Sequence, residues 1–353
     1  MKPEIKDLIE VSRYYGQQKE YVIAGGGNTS YKDDKHLWIK ASGVNLGSID
    51  KNGFCVLDRK KLNEIPKTTF STDVVKREEE VKTMLMNSRV DPESGLRPSV
   101  ETSLHNLFKT AFVVHTHPTL VNGLMCSNRA EAKTLELFGE ETLYIPYTDP
   151  GYILFSFVNE KLKEYRAKFG ADPKIVMIQN HGLFVAADSA DEIKGIHAGI
   201  ESKLKSSFGT DYPETEELPV SDKLADALPA LRMLLSEDEL KTATAFHNTR
   251  IADFIQNKES FEKGIARPFN PDQMVYCLSE YLFIEHCETS EDIIGESKTA
   301  IKEFKSRRGV VPKVIFIKDE GAVVVENSAA MTGSLEDMVN DFCQISRLAE
   351  NFG

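Results

Sequence analysis

Residues 173–187, PKIVMIQNHGLFVAA, decide how this chain folds. Two apolar runs, 175–179 and 183–187, flank Asn180-His181-Gly182, and that punctuation predicts two strands joined by a hairpin-type turn. A second stretch, residues 111–118 (AFVVHTHP), predicts a strand whose His115 and His117 share one face, because alternate strand residues point to the same side. Pro118 cannot extend the ladder and ends it just past the pair. His181, in a turn eased by Gly182, is placed to bring a third imidazole from a neighbouring strand. Three neutral nitrogens with open positions are the pattern of a catalytic divalent-metal site, whereas a closed structural site takes four protein ligands. The same histidines also read as ordinary polar residues, so the other motifs have to decide.

Outward from these strands, the pattern predicts helices at 4–17, 73–87, 99–110, 131–138, 155–169 and 190–208, with a helix start at 119–126. Short strands are expected at 29–32, 36–40 and 54–58, and another ending near Ala24 before the turn Gly25-Gly26-Gly27. Short strands and tight turns mixed with helices predict a three-layer α/β/α sandwich around a mixed, largely antiparallel sheet.

The chain has 353 residues, long for one core, which predicts two domains. Residues 206–222 are polar and carry two prolines. They read as a linker between a domain at 1–205 and a smaller α/β domain at 223–353. Within the second domain, residues 312–325 (PKVIFIKDEGAVVV) repeat the pattern of 173–186 without a gap, and Ser189-Ala190 recurs as Ser328-Ala329. The second domain therefore reads either as a degenerate copy of part of the first or as another generic hairpin followed by a helix. Glu320 stands where His181 stood, and no His-x-His precedes it.

Forty-three basic against 55 acidic residues give a net charge of −12, which argues against a nucleic-acid partner. No apolar run approaches the ~18 residues a membrane span needs. The amino terminus reads as an amphipathic helix rather than a signal peptide. Five scattered cysteines without CxxC spacing suit reduced, structural thiols, and a cytoplasmic location is expected.

The segment from Ser99 to Phe108 predicts a helix capped by Ser99. Glu101 and His105 lie one turn apart beside its apolar stripe. Glu101 reads either as a dipole-compensating surface residue or as an acid/base, since its helix runs straight into the strand of His115. His105 reads as a core-edge histidine bonded to backbone. Gly25-Gly26-Gly27-Asn28-Thr29-Ser30 fits neither GxGxxG nor a P-loop, so no dinucleotide fold is expected. With Ser42-Gly43 and Ser99, it does offer anion-binding N–H and hydroxyl groups.

Taken in order, Gly26-Gly27-Asn28-Thr29-Ser30, Ser42-Gly43, Pro98-Ser99-x-Glu101 with His105, His115-x-His117-Pro118 and Asn180-His181-Gly182 resemble the class II aldolase/adducin family over residues 1–205. The triple glycine, the run Glu101-Thr102-Ser103-Leu104-His105 and residues 269–276 (FNPDQMVY) look closest to the aldolase half of bifunctional rhamnulose-phosphate aldolase/dehydrogenase proteins. Nothing here resembles their dehydrogenase part, so NAD is not implied. Lys40-Ala41 precedes Ser42 where small family aldolases carry Thr-Pro, which leaves the sugar open.

The resemblance implies a zinc-dependent (or other divalent transition metal) retro-aldol cleavage of a ketose 1-phosphate by a homo-oligomer. His115, His117 and His181 would hold the metal, and Glu101 would move the proton. Asn28, Ser42, Gly43 and Ser99 would bind the phosphate. Two alternatives use the same metal site, a sugar-phosphate 4-epimerase and a dehydratase. A third is a non-catalytic, adducin-like binding module.

Overall fold

The computed structural model describes residues 2–208 and 215–352. They form two compact units, one running to Phe208 and taking in Phe352, the other holding the residues from there to Asn351.

The first unit is built on seven strands: β1 (Asn28–Lys32), β2 (His36–Lys40), β3 (Phe54–Asp58), β4 (Phe112–Thr116), β5 (Thr142–Ile145), β6 (Ile175–Ile178) and β7 (Gly182–Ala187). Their order in the sheet is β3-β2-β1-β4-β7-β6-β5, and only the β5–β6 pair is parallel. This is the mixed α/β, largely antiparallel architecture expected. One face carries Leu37, Ile39, Val113, Phe184 and Ala186 against helices Val74–Asn87, Thr102–Leu107 and Tyr152–Phe169. Helices Pro3–Gly16 and Ala190–Phe208 cover the other, burying Leu8, Val11, Ile193 and Ile200.

The register places the site. Asn28 of β1 lies opposite His115 of β4, and on the other flank Phe184 of β7 lies opposite the same histidine. Gly27 permits the approach of the preceding loop, since a Cβ there would stand 2.9 Å from the His115 carbonyl oxygen and its φ is +62°.

Several expectations need correction. No strand precedes Gly25; residues 17–27 run as turns, with Ala24 itself at φ 52°. The 99–110 helix contracts to Thr102–Leu107, because Phe108 is already extended, and Glu101 takes the N-cap position that Ser99 was expected to fill. The helix expected at 155–169 starts at Tyr152, where the Glu78 carboxylate accepts from the Tyr152 amide at 3.2 Å. The four-residue strand β5 had no periodicity to announce it. The expected linker is partly ordered structure: residues to Phe208 are helical, Glu217–Leu218 form a strand, and a helix starts at Asp222. Residues 209–214 lie outside the described ones.

The second unit holds β8 (Glu217–Leu218), β9 (Thr242–Asn248), β10 (Leu282–Ile284), β11 (Val314–Ile317) and β12 (Gly321–Glu326), ordered β10-β11-β12-β9-β8. Here too one pair, β10–β11, is parallel and the others are antiparallel. Its core gathers Leu224, Leu231, Ile293, Ile301, Ile315 and Val323.

Candidate metal centre

His115 is fully buried near the end of β4, His117 follows one residue past the strand, and His181 sits in the β6–β7 turn. One ring nitrogen from each lies within 4.8 Å of the others. The His115 Nδ1 is 3.0 Å from the Leu183 carbonyl oxygen, which can only accept, so Nδ1 carries the proton and Nε2 presents its lone pair inward. Phe184 stacks on the ring at 4.0 Å and fixes its plane. Burial pushes the His115 pKa well below its ordinary value, leaving the imidazole neutral, as a metal ligand must be.

Glu101 faces the same point. Its Oε1 is 3.3 Å from His115 Nε2 and 3.2 Å from His181 Nε2, yet makes no hydrogen bond of acceptable geometry. Oε2 accepts from Asn28 Nδ2 at 2.6 Å, and the Glu101 amide donates to Ser99 Oγ at 3.2 Å. Burial disfavours charge on the Glu101 carboxyl, whereas positive charge at His115, His181 and His117, or on an ion they would hold, favours the carboxylate and lowers its pKa. With His115 neutral, the clearest donor to the carboxylate is Asn28.

A buried, orphaned carboxylate oxygen facing three imidazole nitrogens is a donor set short of a cation, and it fits a divalent transition metal. His115, His117 and His181 are the residues that would hold it. The His115–His117 Nε2 separation is 2.9 Å, against about 3.4 Å for ligands on a tetrahedral ion with ~2.0–2.1 Å bonds. Coordination therefore asks this pair of rings to open by about 0.5 Å, and the wider separations in the trio, up to 4.8 Å, to close.

The proposed anion-binding residues divide into two groups. Asn28 and Ser99 are buried and bonded to Glu101 and to each other, with Asn28 Nδ2 to Ser99 Oγ at 3.3 Å. Ser42 and Gly43 are exposed after β2. They are held beside this group by the Ala41–Pro98 bridge and by the Ser42 amide on the Arg97 carbonyl at 2.8 Å. Ser99 cannot present a helix N-terminus to an anion, since the helix begins at Thr102. His105 is fully buried rather than at the core edge, and bonds the Ser30 hydroxyl at 2.7 Å instead of backbone. The sequence reading missed the Asn28–Glu101 bond, and pairing 28–32 with 112–116 would have revealed it.

The family description "Class II Aldolase and Adducin N-terminal domain" matches residues 6–205. The chain belongs to the class II aldolase and adducin family. A solved N-terminal class II aldolase domain of a conserved protein from Thermoplasma acidophilum is 26% identical, with a TM-score of 0.50 over 58% of this chain and 94% of that one. An L-fuculose-1-phosphate aldolase from Thermus thermophilus is 16% identical, with a TM-score of 0.34 over 56% of this chain and 92% of that one. The uncharacterized oxidoreductase YuxG of Bacillus subtilis (strain 168) is 22% identical over 82% of this chain. The chain spans only 43% of that relative's length. Among the described residues no helix is long and apolar enough to cross a membrane, and Cys55, Cys277, Cys287 and Cys343 are buried as thiols.

Proposed function

We propose that this family member is a divalent-metal-dependent aldolase that cleaves a rhamnulose- or fuculose-like ketose 1-phosphate to dihydroxyacetone phosphate and an aldehyde. One observation carries the reading: Glu101 Oε1, buried and unbonded, points at the nitrogens of His115 and His181. When bound, a zinc or similar ion supplies Lewis-acid stabilisation of the charge that develops on the substrate's carbonyl and hydroxyl oxygens as the C3–C4 bond breaks.

Glu101 is the residue that moves a proton at C3. Ionised at rest, it takes that proton in the condensation direction and returns it to the same carbon in cleavage. The C4 hydroxyl loses a proton as its carbon becomes the aldehyde, so cleavage is proton-neutral overall. Asn28 holds the carboxylate through Oε2, leaving Oε1 toward the reacting carbon. Ser42, Gly43 and Ser99, with Asn28 after reorientation, are the proposed phosphate contacts. We place the enzyme in the cytoplasm as a homo-oligomer.

The test measures metal content and triose-phosphate release from a panel of ketose 1-phosphates, in the wild type and in Glu101→Gln. Bound metal with no C–C cleavage would redirect the reading to a dehydratase or 4-epimerase. A chain that binds no metal would point to an adducin-like binding module.

A further inference from the structure

The two hairpins match residue for residue without a gap. In the first, Ile145 pairs with Ile178 and Ile178 with Gly182; in the second, Ile284 pairs with Ile317 and Ile317 with Gly321. The turn residues Asn180 and Asp319 are both left-handed, at φ 53° and 58°. The His181 amide bonds the Ile178 carbonyl, as the Glu320 amide bonds that of Ile317. The helices before the hairpins end in left-handed Gly170 and Gly309, and bury Leu154 with Leu162 and Ile293 with Ile301 at matching positions. A generic strand–turn–strand motif predicts none of this agreement beyond the turn itself.

The third strand extends the match. Thr116 pairs with Leu183, and Phe246 pairs with Ala322, so β9 lies in the register of β4. His115 then corresponds to Ala245, and His117 to His247. The retained histidine also keeps its place: a Cβ on Gly182 would meet the His117 ring at 2.6 Å, and one on Gly321 would meet the His247 Cβ at 3.0 Å.

We infer that the second unit is a retired copy of the metal centre, in which the Lys223 ammonium paired with Glu320 stands where the first unit presents a cation site. Of the three imidazoles, one has become Ala245, one carboxylate-bearing Glu320, and one remains as His247. The fourth member has changed as well. In the first unit the residue immediately before the helix, Glu101, reaches His181. In the second unit Ser221, immediately before the helix Asp222–Leu235, bonds Glu320, and Lys223 Nζ sits 2.8 Å from Glu320 Oε1. The same corner, helix start to hairpin turn, is bridged in both units, by carboxylate and imidazoles in one and by an ion pair in the other. The sign of charge on each side has exchanged, so a divalent ion would meet an ammonium instead of a carboxylate. The His247 Nε2, buried without a hydrogen-bond partner, is the remnant of the donor set.

The inference does not rest on the aldolase reading, and its test uses zinc uptake by the full chain. Zinc is counted after dialysis in wild type, in His115→Ala/His181→Ala, and in Ala245→His/Lys223→Ala/Glu320→His. The first-unit double variant should hold no zinc, and the second-unit triple variant should hold one equivalent more than wild type. A retained equivalent in the double variant would overturn the inference, as would a folded triple variant with no added zinc. Should the triple variant fail to fold, a thermal-melt cycle decides. Lys223→Met and Glu320→Gln should each lower the melting temperature, and the two together should lower it by less than the sum. Additive losses would show that no mutual pair replaced the ion.

Discussion

Glu101→Gln tests both proposed roles of the site at once. Asn28 Nδ2 donates to Oε2 at 2.6 Å, so the glutamine oxygen must turn toward Asn28. Its amide nitrogen then occupies the place of Oε1, 3.3 Å from His115 Nε2 and 3.2 Å from His181 Nε2. Because His115 Nδ1–H is committed to the Leu183 carbonyl, its Nε2 can only accept, and the new N–H donates into the lone pair a metal needs. Two losses follow. Without a group to carry the C3 proton, kcat at saturating metal should fall by ~10²–10⁴-fold, equivalent to about 3–5.5 kcal/mol of barrier. Zinc affinity should also weaken, by ~10–100-fold, the usual range for changes beside a metal ligand.

Glu101→Ala separates these effects, because it removes the carboxylate without adding a donor. It should lose the same kcat and less metal affinity. The assays are triose-phosphate release at saturating zinc and a zinc titration against a competing chelator. Wild-type kcat in Glu101→Gln at saturating metal would refute the proton-transfer role. Zinc binding tighter in Glu101→Gln than in Glu101→Ala would refute the assignment of the His115 tautomer.

Chelation should lower wild-type thermal stability by about 2.7 kcal/mol when zinc had been present at 100 times its Kd, whereas His181→Ala should melt identically with and without chelator. An equal chelator effect in both would place the ion elsewhere. Gly27→Ala forces a Cβ to within 2.9 Å of the His115 carbonyl at φ +62° and should destabilise by ~1–3 kcal/mol; an unchanged urea midpoint would contradict this. His197, nearly fully buried with its ring 4.4 Å from that of Tyr15, is pushed by burial down to a pKa of about 3. The unfolded chain therefore binds a proton the fold refuses, and stability present above pH 6.5 should fall by up to ~1.4 kcal/mol per pH unit as pH drops toward 3. His197→Phe should flatten that limb between pH 6 and 4, and an unaltered slope would sink the argument.

The first unit was legible because its strands carry their own boundaries. Pro118 ends β4, Asn180-His181-Gly182 separates β6 from β7, and the helix Ala190–Phe208 follows Ser189 with a clear apolar stripe. What stayed hidden depended on distant partners. Glu78 starts the helix at Tyr152 from far along the chain, and β5 exists because Ile178 and Val176 give its four residues a parallel neighbour. The three histidines were readable as types at suggestive spacings. The job of Asn28 was not, since its amide serves Glu101 only after β1 and β4 come into register. His105 shows the same dependence: a helix residue whose partner, Ser30, lies on β1, far along the chain.

The close approach that makes a metal site possible is a property of the fold before it is a property of the metal. Gly182 lets the β6–β7 turn come so near the end of β4 that a Cβ would lie 2.6 Å from both the Thr116 carbonyl oxygen and the His117 ring. Metal–ligand distances tolerate only ~0.2 Å, so a side chain there would push His181 out of reach of the ion. Gly321 keeps the same intimacy in the second unit, where a Cβ would lie 2.4 Å from the Phe246 carbonyl oxygen, although Ala245 and Glu320 have replaced two of the imidazoles. The glycine therefore answers to strand packing in both units. Histidines placed on either side of that approach exploit a proximity the sheet already requires, and replacing them leaves the hairpin standing while removing the donors an ion would need.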